Sequence, residues 1–236
     1  MIADENDVLE HTLARNSTLV DAFYVLDGSE DHKTANEICW DFDNCAGYWR
    51  DEYLPKRYPR ETTDGCRQFI YNRAGAECGY DHWFLLLHGD EFWTFDPQEV
   101  IDRAPDADGF VFRLPFAFPR YWDPAKSAAD QLTEFMVPGW PEFRMFRGGH
   151  DVQFNPEVHF SVTPQGLHRI YQTEKQILHY LYRAPGVQYD RAAKRKRWSP
   201  ENWQELEARG PFWDDHRISE FCRSSQHYGG TMRIAA

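Results

Sequence analysis

The chain has 236 residues, with 26 Lys+Arg against 38 Asp+Glu and a formal net charge of −12. With 42% hydrophobic and 16% aromatic residues it is not a globally disordered chain, because such chains are poor in aromatics. The acidic balance excludes a surface that coats nucleic acid, which requires a basic face, while leaving room for a small basic pocket.

One large domain, or one domain with an appendage, is the expectation at this length. The longest apolar run, Trp83 to Leu87, falls far short of the roughly 20 residues needed to cross a bilayer, so no integral membrane span is expected. Five cysteines without a CxxC pair argue against structural zinc and against a disulfide framework. The acidic stretch Met1 to Asp7 lacks the basic start and apolar core of a signal peptide. A cytoplasmic location is the resulting expectation.

In chain order, Asp7 to Leu19 places Val8, Leu9, Thr12, Leu13 and Leu19 near one helical face. Ala22 to Leu26 reads as a short buried strand stopped by Asp27-Gly28-Ser29, and Glu30 to Trp40 as a second helix. A Pro/Tyr/Arg-rich connection runs from about Gly47 to Glu61. Thr63 or Asp64 then caps a helix through Arg67, Phe69, Ile70 and Ala74 to about Gly79. The run Trp83–Leu87 enters His88-Gly89-Asp90-Glu91-Phe92, and Asp96-Pro97 opens a short helix. Farther on, Gly109–Phe118, Glu142–Phe146 and Gln176–Leu181 read as strands. Ala184–Arg209 reads as helix with a basic cluster at Arg191–Arg197, and Ser224–Ala236 as a tail. Such strand–helix alternation predicts a mostly parallel central sheet flanked by helices, with ligands beyond the carboxyl ends of its strands.

Two turns stand at such ends. A buried strand delivers His88, Asp90 and Glu91 to its tip, and paired carboxylates with a substrate phosphate suit Mg²⁺ or Mn²⁺. The plainer alternative is a pair of solvated capping carboxylates. The other turn, Val25-Leu26-Asp27-Gly28-Ser29-Glu30-Asp31, can present Asp27 to a base or ribose, or can simply cap the following helix. Trp93 and Trp140 are either sugar platforms or core residues.

Taken together, Glu5-Asn6-Asp7-Val8, the Asp27-Gly28-Ser29-Glu30-Asp31 turn and His88-Gly89-Asp90-Glu91-Phe92 resemble, in order, the motifs of family 2 glycosyltransferases. Arg144-Met145-Phe146-Arg147 and Ile177-Leu178-His179-Tyr180 extend the likeness. The resemblance implies a GT-A fold in the α/β class, with a catalytic domain over 1–183 and a helical extension over 184–236. It implies a transferase that moves a sugar from a nucleotide-sugar donor to an acceptor hydroxyl with inversion. Nucleotidyl or phosphoryl transfer, or nucleotide or sugar binding without catalysis, are the alternatives on a similar fold. By the same resemblance Glu5, Asp27, Asp64 and Arg67 would bind the nucleotide, and Asp90, Glu91, His179 and His88 the Mn²⁺ or Mg²⁺. The acceptor's proton needs a base; Glu142 is the first candidate, with Asp151 and His159 behind it. Two departures stand out: His88 replaces the first Asp of the metal motif, and only a few residues precede the acidic helix start where the family has its opening strand.

Overall fold

The computed structural model describes residues 1–2, 5–54, 63–117, 123, 125–155, 163–180 and 228–233, the side chains of 63–64, 136–138, 140 and 228–233 excepted. The basic cluster at 191–197 and the helix expected over 184–209 lie outside the described residues, as does His159.

In the first half α1 (Asn6–Asn16), β1 (Phe23–Asp27), α2 (His32–Trp40) and α3 (Thr63–Cys78) follow the alternation expected from the sequence, while the strand β2 (Cys45–Arg50) stands where a connection is expected to begin. Asp31 starts α2 by accepting the Thr34 N–H, the cap that frees a helix's first donors from water. β1 and β2 pair in parallel, Phe23 opposite Cys45 and Asp27 opposite Arg50. The alternation of β1 splits its side chains between two cores. Val25 packs with Ile2, Leu9 of α1, and Ala35 and Cys39 of α2. Leu26 packs with Cys66 and Phe69 of α3 and with Met1. Helices therefore cover both faces of β1, as buried parallel strands require.

Next come β3 (Trp83–Leu85), β4 (Glu91–Trp93), α4 (Gln98–Arg103), β5 (Gly109–Ala117), α5 (Ala128–Gln131), β6 (Glu134–Arg147), β7 (Ile170–His179) and β8 (Tyr228–Arg233). Six of these strands form one sheet in the order β3-β6-β5-β7-β4, with β8 on β6. β3 and β8 both run antiparallel to β6. The fold is thus α/β, but the expected mostly parallel sheet is corrected to a mixed one. The expected tail also proves to contain a strand, because Tyr228–Arg233 supplies hydrogen-bond partners to Glu134–Pro138.

The chain divides into two compact units, Met1–Arg113 with Pro141–Ile177, and Leu114–Trp140 with Leu178–Ala236. In the first, Tyr71, Phe84, Phe146 and Phe154 build an aromatic core; in the second, Phe135 and Tyr180 meet at 5.9 Å. Among the described residues no helix is long and apolar enough to cross a membrane.

Candidate functional site

The dipeptide Met1-Ile2 joins the two acidic turns. On one side Ile2 forms a parallel bridge with Asp27, its N–H donating to the Leu26 carbonyl and its carbonyl accepting from the Gly28 N–H. On the other side the Met1 ammonium donates to the Leu87 carbonyl at 2.7 Å, and the Gly89 N–H donates to the Met1 carbonyl at 2.8 Å. Met1-Ile2 takes a strand position, so the tips of β1 and of the run after β3 flank the same two residues. Two strand spacings separate them, about 10 Å.

α1 fixes the second tip. Its apolar face carries two buried polar residues, Thr12 and Asn16. The Thr12 hydroxyl donates to the Gly89 carbonyl at 2.6 Å. The Asn16 amide donates to the Glu91 carbonyl at 2.8 Å and accepts from the Trp93 N–H at 3.0 Å. These satisfy backbone groups that a buried turn would otherwise leave unmet. Gly89 is closely approached: a Cβ there would stand 3.2 Å from the Glu5 carboxylate and 3.3 Å from the Glu5 Cβ, so Glu5 would have to shift slightly to admit it.

Ionisable groups gather here in the interior. Glu5, Asp27, Arg67, Asp90, Glu91 and Arg144 are each 5% exposed or less. The Met1 ammonium feels Glu5, Glu91 and Arg67; His88 feels Glu91, Arg144, Arg67 and the same ammonium. Arg67, on the inner face of α3, and His88 both line a cavity of about 750 Å³.

The structure gives several of these residues firmer assignments than the sequence could. Glu91, expected beside a metal, accepts from Arg144 through both oxygens, Nε at 3.0 Å and Nη2 at 2.8 Å. The Arg144 guanidinium also lies 2.6 Å from Glu142 Oε2. Glu142, the first candidate for the base, is therefore half of an ion pair. Desolvation opposes the Arg144 charge, but both carboxylates outweigh it and hold the group firmly protonated. Asp27 accepts the Ser29 N–H at 2.8 Å and the Tyr48 hydroxyl, so it fixes its own turn in the manner of the capping alternative. Asp151 is exposed on the turn after β6. Asp64 lies in the first turn of α3, its side chain outside the described residues. His179 ends β7, and Leu178–Ala236 belong to the second unit. Trp93 is a core residue, 3% exposed and edge-on to Phe112 at 4.9 Å, and the side chain of Trp140 lies outside the described residues.

Among the described residues no group of three metal-ligating side chains forms. With Glu91 held by Arg144, the fit of a divalent cation rests on Asp90. One buried carboxylate suits an ion such as Mg²⁺, which takes one or two carboxylates and completes its shell with water and substrate phosphates.

His88 is 35% exposed as a side chain, but its Nε2 is shielded and has no hydrogen-bond partner among the described residues. Burial drives the imidazole down to about 3, against the pull of Glu91. The unfolded histidine takes a proton below about pH 6.5, whereas the folded one stays neutral to about 3. The resulting stability is fully present above pH 6.5 and is lost as pH falls through about 3. The melting temperature of His88→Gln should accordingly fall less steeply than that of the parent between about pH 6.5 and 5. Parallel slopes would mean that His88 is solvated in the native state.

No protein-family model and no curated protein matches the chain. Among solved structures, HddC from Yersinia pseudotuberculosis aligns with 81% of this chain and 84% of its own length, at 14% identity and a TM-score of 0.33.

Proposed function

We propose that the protein is a glycosyltransferase that uses a nucleotide-activated sugar and a divalent cation, Mn²⁺ or Mg²⁺. One observation carries this reading: the Asp27 turn and the turn bearing Asp90 flank the same dipeptide, whose ammonium feels Arg67 and is felt by His88. Ligands of open α/β sheets bind beyond strand carboxyl ends of this kind.

In this scheme the Asp27 turn faces the nucleoside and Arg67 faces the diphosphate. Asp90 would hold the cation, which would supply positive charge to offset that building on a leaving diphosphate. Arg67 supplies a fixed positive charge to the same end without reorganising. The Glu91–Arg144 pair is assigned to holding the turn, not to the cation. Thr12 and Asn16 keep the turn's backbone in place as the substrate enters.

Thermal shift with UDP, GDP and CMP, each with and without Mn²⁺, tests the scheme. A matching pair at a hundredfold its Kd should add about 2.7 kcal/mol, or roughly 5–10 °C for a chain of this size. Asp90→Asn should remove the part of the shift that Mn²⁺ adds and keep the part due to nucleotide alone. No shift with any pair overturns the proposal. A full shift without slow hydrolysis of any nucleotide sugar would favour a binding protein, and release of pyrophosphate from a nucleoside triphosphate would favour nucleotidyl transfer.

A further inference from the structure

A separate cavity, of about 380 Å³, lies against β2, lined by Tyr48, Trp49, Arg50, Tyr53, Phe69 and Arg73. Among the described strands β2 pairs only with β1. Tyr48 and Trp49 are successive in the strand and so point to opposite faces; a cavity that both line wraps round the free edge. Trp49 is held in place. Its ring lies across Gly47, where any Cβ would overlap it, stacks on Tyr24 at 6.2 Å and meets Phe69 edge-on at 6.2 Å. The Tyr48 hydroxyl is occupied by Asp27 and the His32 carbonyl, so this residue offers the cavity its ring. The Arg73 guanidinium stands over the rings of Phe69 and Trp49, at 5.4 and 5.9 Å, and makes no hydrogen bond or ion pair among the described residues. Arg50 meets Glu52 at 3.5 Å, yet its Nε is shielded and finds no acceptor among the described residues. Tyr53 is 77% exposed.

We propose that this cavity binds a small aromatic carboxylate, apart from the nucleotide. The aromatic character comes from the lining: Tyr48, Trp49, Tyr53 and Phe69 offer ring faces and edges, and rings pack on one another offset or edge-on. The negative charge comes from Arg73. A guanidinium stacked on rings keeps its N–H edge free, and that planar fork matches the two oxygens of a carboxylate. A single charge suits the cavity better than the two of a phosphate, because Arg50 and Arg73 stand against Glu52 and leave one positive charge unmatched among the described residues. In a chain with a net charge of −12, such a spot is where an anion is least repelled. The volume falls at the lower end of small-ligand sites, about 300–1,000 Å³, which fits one or two fused rings.

Titration calorimetry on the full chain with indole-3-carboxylate tests this. The probe should bind with a Kd below about 1 mM. Indole-3-carboxamide, which has the same shape without the charge, should bind at least about tenfold more weakly, and acetate, which has the charge without the ring, should give no measurable heat. Arg73→Gln and Tyr53→Ala should each weaken the carboxylate about tenfold or more. Both residues are exposed, so both variants should melt close to the parent. Saturating UDP with Mn²⁺ should leave the affinity for the probe unchanged. The proposal fails if the probe gives no heat at millimolar concentration, if the carboxamide binds as tightly, or if Arg73→Gln has no effect. Displacement by UDP also overturns it, by placing the probe in the nucleotide site. Since the probe carries neither nucleotide nor metal, its failure to bind leaves the transferase reading untouched.

Discussion

Glu91→Ala should destabilise the protein by about 3–5 kcal/mol, the loss expected when one partner of a buried ion pair is removed. Arg144 is 1% exposed and Glu91 is fully buried, so the guanidinium left behind would stay in the interior short of one carboxylate. Glu142 would still reach it at 2.6 Å, which sets the lower end of the range. The His88 N–H, which donates to Glu91 Oε2 at 3.2 Å, would lose its acceptor as well. For a chain of this size the melting temperature should fall by roughly 6–20 °C. Pairing the change with Arg144→Met should restore much of the loss, because an apolar side chain of similar length leaves no stranded charge. Urea denaturation of the two single variants and the double variant measures this. A single variant within about 1 kcal/mol of the parent would mean that the pair is solvated, and the turn would then need another anchor. A metal ligand would behave differently, because its removal would act on the Mn²⁺-dependent shift and leave the apo protein nearly as stable as before.

That distinction could not be drawn from the sequence, for a physical reason. Asp90 and Glu91 are adjacent acids at a strand tip, and spacing says only that both carboxylates arrive there. What separates them is Arg144, 53 residues away in sequence, which a neighbouring antiparallel strand brings alongside. Local pattern did reveal α1, β1, α2, α3 and β5, which stand within a few residues of the expected bounds. It missed β2, where Cys45-Ala46-Gly47-Tyr48-Trp49-Arg50 shows no clean alternation and the parallel partner β1 imposes the extended form. It also found only the second half of β6, since Pro138, Gly139 and Pro141 read as breakers within a strand that runs Glu134–Arg147. One missed anchor did leave a signal. Thr12 and Asn16 are polar residues at helical spacing from Val8 and Leu9, and polar groups on a buried helix face need partners. Their partners prove to be the backbone of the turn from Gly89 to Trp93.

Tyr71→Ala should be the other severe substitution, and it connects the core to the site. Tyr71 is 3% exposed, with its ring 4.9 Å from Phe84, 5.3 Å from Tyr80 and Phe146, and 6.2 Å from Phe154. Truncating a buried aromatic to alanine costs about 3–5 kcal/mol through lost transfer energy and the cavity left behind. Its hydroxyl also donates to the Gly149 carbonyl at 2.7 Å and accepts the Gly149 N–H at 2.9 Å. Tyr71→Phe keeps the ring packing and loses only those two bonds, so it should cost about 1–3 kcal/mol. Arg67 sits one helical turn before Tyr71 on α3, and residues four apart share a face. The ring that seats α3 on the aromatic core therefore also sets where the guanidinium stands. On the proposed function, Tyr71→Phe should bind nucleoside diphosphate as the parent does, while Tyr71→Ala should bind it more weakly even where it remains folded. Urea midpoints and titration calorimetry on the two variants separate the contributions. Equal destabilisation by both would place the anchor in the hydroxyl and Gly149, with the rings contributing little. Equal nucleotide affinity in both would show that the position of Arg67 does not depend on how α3 is seated.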